Sequence, residues 1–286
     1  MKLITDSAGD LTPADIQEYG VDVIPLFITF PDGEVSTNDI TPDAFYDRLR
    51  SIVPQVPTTS QPSVASFTDR YKAALATGED VLSIHISSGL SGTYSTSALA
   101  ARQTDPTRIT TIDTLTLSNG QRFQVLAAAM AIRKGWSVAQ IKTKLDAIRA
   151  ETEVIYTLET LDYLARGGRI GRVQGLLGGL LQIKPVIHVE HSDGKYDTIA
   201  RVRTVSQGLS TIVSHVKGLY GDQPVWASVM HGQWQEKADT LTEMLKETLN
   251  ITRAETLRIS PALGVHTGPG IVGCCVVPAK HFDDLV

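Results

Sequence analysis

The stretch Ser87-Ser88-Gly89-Leu90-Ser91-Gly92-Thr93 gathers hydroxyls and small residues between an apolar run at 81–86 and a helix that begins near Thr93. A strand, a Gly/Ser loop and a helix N-terminus in that order aim backbone N–H groups and the positive end of a helix dipole at one point, which favours an anionic head group. Capping of the helix by Ser91 or Thr93 is the plainer use of the same residues. Upstream, Pro57-Thr58-Thr59-Ser60-Gln61-Pro62-Ser63 reads as a second hydroxyl-rich loop. Ser63 is the natural N-cap of the helix that follows it, so Thr58, Thr59 and Ser60 are surplus to capping. Downstream, His266 stands in Leu263-Gly264-Val265-His266-Thr267-Gly268-Pro269-Gly270, a run too rich in Gly and Pro for a regular element. A histidine in such a loop can donate a hydrogen bond to an anion.

The same residues admit a hydrolase reading. Gly89-Leu90-Ser91-Gly92-Thr93 compares with the G-x-S-x-G nucleophile elbow, and His266 follows in the right chain order, so an esterase built on Ser91 and His266 is the competing function. Thr93 stands where the elbow needs glycine to relieve crowding, which counts against it. Gly268-Pro269-Gly270-Ile271-Val272-Gly273 spells the dinucleotide fingerprint, but a strand follows where a helix is required and the sequence given, which ends at Val286, leaves no room for the acidic partner. No Walker A sequence is present, so ATP chemistry within this chain has no support. His85, His188, His191, His215, His231 and His281 show no metal-ligand spacing, and neither a metal nor a cofactor is expected. Arg166, Arg169 and Arg172, with Arg201 and Arg203, form a basic group in an acidic protein. Such a run is a solvated face or a docking surface for another protein.

Composition narrows the class. A net charge of -5 without a Lys/Arg run argues against nucleic acid and anionic membranes as partners. The only two cysteines, Cys274 and Cys275, are adjacent in an apolar run, which offers no disulfide framework and fits a reducing cytosol. Neither a leader sequence nor a membrane-spanning run is apparent, so a cytoplasmic protein without stable membrane insertion is expected.

The 286 residues exceed the size of one ordinary core, and two domains are expected, 1–152 and 153–286. In the first, strands at 3–5, 21–30, 81–86 and 109–115 alternate with helices opened by Thr12-Pro13, Thr41-Pro42, Ser63 and Thr93. An Ala-rich helix to about Lys134 and another over 138–151 complete it. This alternation predicts a parallel-sheet, Rossmann-like α/β domain that carries the head-group loops. The second half predicts a helix at 158–165, an apolar segment at 176–181, and a hairpin of 186–190 with 196–203 about Ser192-Asp193-Gly194-Lys195. Helices at 206–220 and 235–249 and strands at 225–230, 255–259 and 271–277 follow, which makes it a mixed-sheet α/β sandwich.

Six stretches in this order resemble the DegV family of bacterial fatty-acid-binding proteins, which includes subunits that present fatty acids to a separate kinase. They are Thr5-Asp6-Ser7 with Asp10-Leu11, Thr59-Ser60-Gln61-Pro62-Ser63, Ser88-Gly89-Leu90-Ser91-Gly92-Thr93-Tyr94, Leu161-Asp162-Tyr163-Leu164 with Gly167-Gly168-Arg169-Ile170, Ile183-Lys184-Pro185, and His266-Thr267-Gly268-Pro269-Gly270. The resemblance implies a non-enzymatic carrier. Thr59 and Ser91 would bind the carboxylate of a long-chain fatty acid, with Ser60, Gly92 and His266 close by. The acyl tail would lie in an apolar tunnel between the domains. An ATP-dependent fatty acid kinase would be the partner, forming an acyl phosphate, with Arg166, Arg169, Arg172, Arg201 and Arg203 as candidates for docking it.

Overall fold

The computed structural model describes residues 1–176 and 183–285. Of the apolar segment expected at 176–181, all but Leu176 lies outside the described residues. The first sheet contains β1 (Lys2–Asp6) and β2 (Asp22–Ile24). The small strands β3 (Phe27–Phe30), β4 (Gly33–Ser36) and β5 (Thr58–Ser60) come next, then β6 (Val81–His85) and β7 (Ile109–Asp113). β8 (Glu153–Leu158), β9 (Lys184–Val189), β10 (Tyr196–Val202), β11 (Val225–His231), β12 (Ile251–Arg258) and β13 (Ile271–Pro278) build the second half.

The helices are α1 (Pro13–Tyr19), α2 (Pro42–Ser51), α3 (Val64–Ala76), α4 (Thr93–Thr104) and α5 (Ser118–Arg133). They continue as α6 (Val138–Glu151), α7 (Asp162–Arg166), α8 (Val205–Tyr220), α9 (Gln235–Thr248) and α10 (Pro261–Thr267). Local signals set several starts. Thr12 forms a capping box with Asp15 ahead of Pro13, and Ser137 and Thr204 do the same with Gln140 and Gln207. Ser63 caps α3 through the Ser66 amide.

β2-β1-β6-β7 form a four-stranded parallel sheet, as the alternation predicts. The order β10-β9-β8-β13-β11-β12 forms a six-stranded mixed sheet, parallel only between β11 and β12. The hairpin pairs Tyr196 with Val189 across the Ser192–Lys195 turn. Helices and sheets alternate in layers. Phe67, Tyr71 and Ala100 of α3 and α4 pack on Ile4 of the parallel sheet. A single core joins Leu82 and Ile84 of that sheet, through Phe123 of α5 and Leu145 of α6, to Tyr156, Ile187 and Val277 of the mixed sheet. The outer face of the mixed sheet packs Ile155 and Val186 on Ile212 and Val216 of α8 and Leu241 of α9. Arg122 of α5, 2% exposed, ties the halves together by donating to Asp15 of α1 at 2.7 Å and to Glu255 of β12.

Three expectations change. The run 21–30 is split at Pro25, which lacks a donor, so β2 joins the parallel sheet while β3 pairs with β4 and β5 in a separate antiparallel sheet. The helix expected at 158–165 begins only at Asp162, because Leu158 closes β8, a strand buried along its whole length. Strand β12 starts at Ile251 rather than Glu255; it is an edge strand, and its exposed Thr252, Arg253 and Ala254 mask the pattern.

Candidate functional site

The loop after β6 returns most of its backbone donors to itself. The Leu90 and Ser91 amides donate to the Ser87 carbonyl, the Gly89 amide to the Ser87 hydroxyl and the Ser88 amide to Asp113. The Ser91 hydroxyl meets Thr93 Oγ1 at 2.9 Å and accepts from the Thr93 amide, so Gly92, not Ser91, is the N-cap of α4 and gives it no side-chain cap. The anion cradle expected from the loop is thus a hydroxyl site with few spare amides. Contact with the hairpin turn fixes its position. Ser87 donates to the Gly194 carbonyl at 2.8 Å, and a Cβ on Gly89 would lie 2.4 Å from the Asp193 carbonyl oxygen.

Thr59 is not in a loop. It is the middle residue of β5, paired with Ile28 of β3, and the two-residue period sends its side chain to the face opposite those of Thr58 and Ser60. Thr59 Oγ1 lies 2.8 Å from His266 Nε2, whereas Ser60 donates to Glu34 at 3.1 Å and points away from that pair. His266, expected in an irregular loop, belongs to α10. Pro261 occupies the first turn of this helix and the Ser260 amide is held by Asp10 at 3.0 Å. Gly264 lets α10 lie on Phe45 and Tyr46, with a Cβ there only 2.5 Å from Phe45 Cε1.

Thr59, Ser91 and His266 line one pocket with Arg169 and the apolar side chains of Leu26, Ile86, Leu90, Leu117 and Leu263. Arg169, read from sequence as a docking residue, therefore faces this pocket. Its Nη1 donates to the Gly167 carbonyl at 2.7 Å and its Nε to the Leu90 carbonyl at 3.3 Å; Nη2 has no bond among the described residues. Burial, and then the Arg169 charge, push the His266 pKa down to about 4, so the ring is neutral at pH 7. Tyr196 also lines the pocket, and burial raises its phenol well above the ordinary value. The result is a polar end with one permanent cation, neutral hydroxyls and a neutral imidazole, over apolar walls. The walls close around a cavity of about 30 Å³, room for little more than a water molecule and far below the usual size of a ligand pocket. Among the described residues, this pocket does not continue into an open channel for an acyl tail in this conformation.

The remaining residues named from sequence lie elsewhere. Gly92 makes room for Gln61, since a Cβ would lie 2.1 Å from its Oε1. Arg166 donates to the Pro54 carbonyl at 2.6 Å, Arg172 pairs with Asp193 at 2.6 Å, and Arg201 and Arg203 are exposed on or beside β10. Spacing gave no metal pattern among the histidines, yet the fold gathers His188 and His215 around Glu153, on the face of the mixed sheet turned away from this pocket.

The elements of an esterase do not assemble at Ser91. The nitrogen of His266 that would serve as base bonds Thr59, and among the described residues its Nδ1 has no hydrogen-bond partner and so no carboxylate to orient it. A Ser–His–Asp chain does occur at residues that no linear motif connects: Asp6 lies 2.9 Å from His85 Nδ1, and His85 Nε2 lies 2.6 Å from Ser83 Oγ. All three are 0% exposed, so no substrate reaches them.

Relatives agree with this architecture. A DegV domain-containing protein of Deinococcus radiodurans is 37% identical over 277 residues, covering 96% of this chain and 95% of its own. The structure described as fatty acid binding of a DegV family protein from Thermus thermophilus superposes with a TM-score of 0.90 at 31% identity, over 97% of this chain and 99% of that one. A stearic-acid-binding protein from Eubacterium ventriosum superposes with a TM-score of 0.89 at 27% identity, over 98% of each chain. The family model described as an uncharacterised protein of the DegV family matches residues 1–279, nearly the whole length, and the chain belongs to the DegV family.

Proposed function

We propose that this protein binds one long-chain fatty acid, with the carboxylate at Thr59, Ser91, His266 and Arg169, and presents it to an ATP-dependent kinase that converts it to an acyl phosphate. The observation that carries this reading is the meeting of these four polar side chains at one end of an apolar pocket. A carboxylate there can accept from the Ser91 hydroxyl, from the Thr59 hydroxyl with the neutral His266 ring donating to the Thr59 oxygen, and from the Arg169 guanidinium, and among the described residues no carboxylate orients His266 as a base for Ser91. The binding of fatty acids described for the Thermus thermophilus and Eubacterium ventriosum proteins supports the same class of ligand.

The energetic division follows from the ligand. Burying about fifteen methylenes at roughly 0.8 kcal/mol each contributes on the order of 10 kcal/mol, several times a net head-group bond of about 1 kcal/mol. The tail sets affinity and the polar end sets orientation. For the tail to enter, the leucines and Ile86 that enclose the small cavity must part, so binding is accompanied by repacking of this core.

Ser91→Ala tests the division. Loss of one neutral hydrogen bond lowers fatty-acid affinity by about two- to tenfold. Acyl-phosphate formation by the partner kinase falls further, because the carboxylate is no longer held in one pose. Equal losses in the two assays would contradict the proposal. Stoichiometric labelling of Ser91 by a fluorophosphonate, with turnover of a simple ester, would replace it with the hydrolase.

A further inference from the structure

Glu153, the first residue of β8, is a carboxylate only 4% exposed and without a Lys or Arg partner among the described residues. Histidines surround it instead. His188 Nδ1 of β9 lies 2.9 Å from Oε1, His215 Nε2 of α8 lies 3.1 Å from the same oxygen, and His191 Nε2 lies 3.6 Å from Oε2. Arg122 illustrates the contrast, since the buried carboxylate of Asp15 has that guanidinium against it.

We propose that Glu153, His188 and His215 bind a divalent transition-metal ion of the zinc class, with water at the fourth position. Two imidazoles and a carboxylate are ligands that such ions prefer, whereas Mg2+ and Ca2+ take oxygen. Ligand bonds of about 2.0–2.2 Å place neighbouring donors of a tetrahedron roughly 3.3–3.6 Å apart, so the carboxylate–imidazole distances need to open by about 0.2–0.7 Å. The three donor atoms lie within 4.8 Å of one another, so the two imidazole nitrogens need to close by at most about 1.5 Å to reach the same edge length. Glu190 Oε2 stands 4.0 Å from the second nitrogen of His188, at ion-pair rather than hydrogen-bond range, and Tyr220 OH accepts from the Glu153 amide at 3.0 Å, which fixes the backbone of that residue. His188 and His215 are 17% and 24% exposed, which leaves a path from solvent and room for the water.

The ion ties α8 to β8 and β9, on the face of the mixed sheet opposite the fatty-acid pocket. The site is therefore separate from the proposed ligand pocket.

The test is a titration of the untagged, chelator-treated full chain with Co2+, followed by displacement with Zn2+. The wild type should take up one equivalent with the intense visible bands of four-coordinate cobalt, which Zn2+ bleaches. Removing a ligand by His188→Ala or His215→Ala should weaken binding by at least the roughly 10- to 100-fold that loss of a supporting group costs a metal site. His281→Ala, at a histidine paired with Glu151, should bind like the wild type. Should an alanine variant fail to fold, His215→Gln serves with a second readout: Zn2+ raises the melting temperature of the wild type in a concentration-dependent way and leaves the variant unmoved. Absence of visible bands in the wild type, or an isotherm or thermal shift unchanged by loss of His188 or His215, would overturn the proposal.

Discussion

Arg169→Met removes the one permanent cation of the proposed head-group site while keeping a side chain that fills space against Leu90 and Leu117. A hydrogen bond to a charged group contributes about 1.5–3 kcal/mol, which corresponds to a loss of roughly ten- to a hundredfold in affinity for a fatty acid. Affinity alone would be ambiguous, because the variant also frees the Gly167 and Leu90 carbonyls that Arg169 now satisfies. The ratio of affinities for a fatty acid and the fatty alcohol of the same chain length removes that ambiguity. Both ligands bury the same tail and both meet the same altered loop, so the structural cost cancels and the change in this ratio on substitution reports the carboxylate–guanidinium contribution. Competitive displacement of a fluorescent fatty acid gives both constants. The preference for the acid should fall by about ten- to a hundredfold from the wild type to Arg169→Met. A preference for the acid that survives the substitution undiminished would refute the placement of Arg169 at the carboxylate.

Two further outcomes follow from the polar end and its support. Burial holds the His266 pKa at about 4 in the folded chain against an ordinary 6.5, so its contribution to stability is complete above pH 6.5 and is lost as pH falls toward 4. Denaturant unfolding should lose up to about 3 kcal/mol over that window from this group, and His266→Asn should flatten that part of the profile; an unchanged slope would remove His266 as its source. Gly264→Ala pushes a methyl into Phe45 and Tyr46, both 0% exposed, and should destabilise by about 1–3 kcal/mol while weakening fatty-acid binding through displacement of α10. Unaltered denaturation and binding would mean that α10 is free to shift.

What the sequence revealed and what it hid divide along physical lines. The caps at Thr12 and Ser63 and the hairpin about Asp193-Gly194 were legible because each is closed by bonds between residues a few positions apart. The parallel sheet followed from alternation of strand and helix, with every crossover long enough to be visible. Thr58–Ser60 reads as a loop because three residues carry no period; only pairing with Ile28, thirty-one positions upstream of Thr59, makes it a strand. Ser260-Pro261 before and Gly268 after α10 were helix signals in plain view, outweighed by the glycines and proline around His266. Arg169 belonged to a visible basic group, and nothing in spacing separates the arginine that turns inward from those that stay in solvent. His188 and His215 meet Glu153 from three different elements, a constellation that no linear motif encodes.

Native mass spectrometry of freshly purified protein, followed by extraction and identification of any retained lipid, decides whether the protein carries a fatty acid. One long-chain fatty acid per chain, released as the free acid, is the expected result. Protein that is empty in repeated preparations and fails to take up added fatty acid would contradict it.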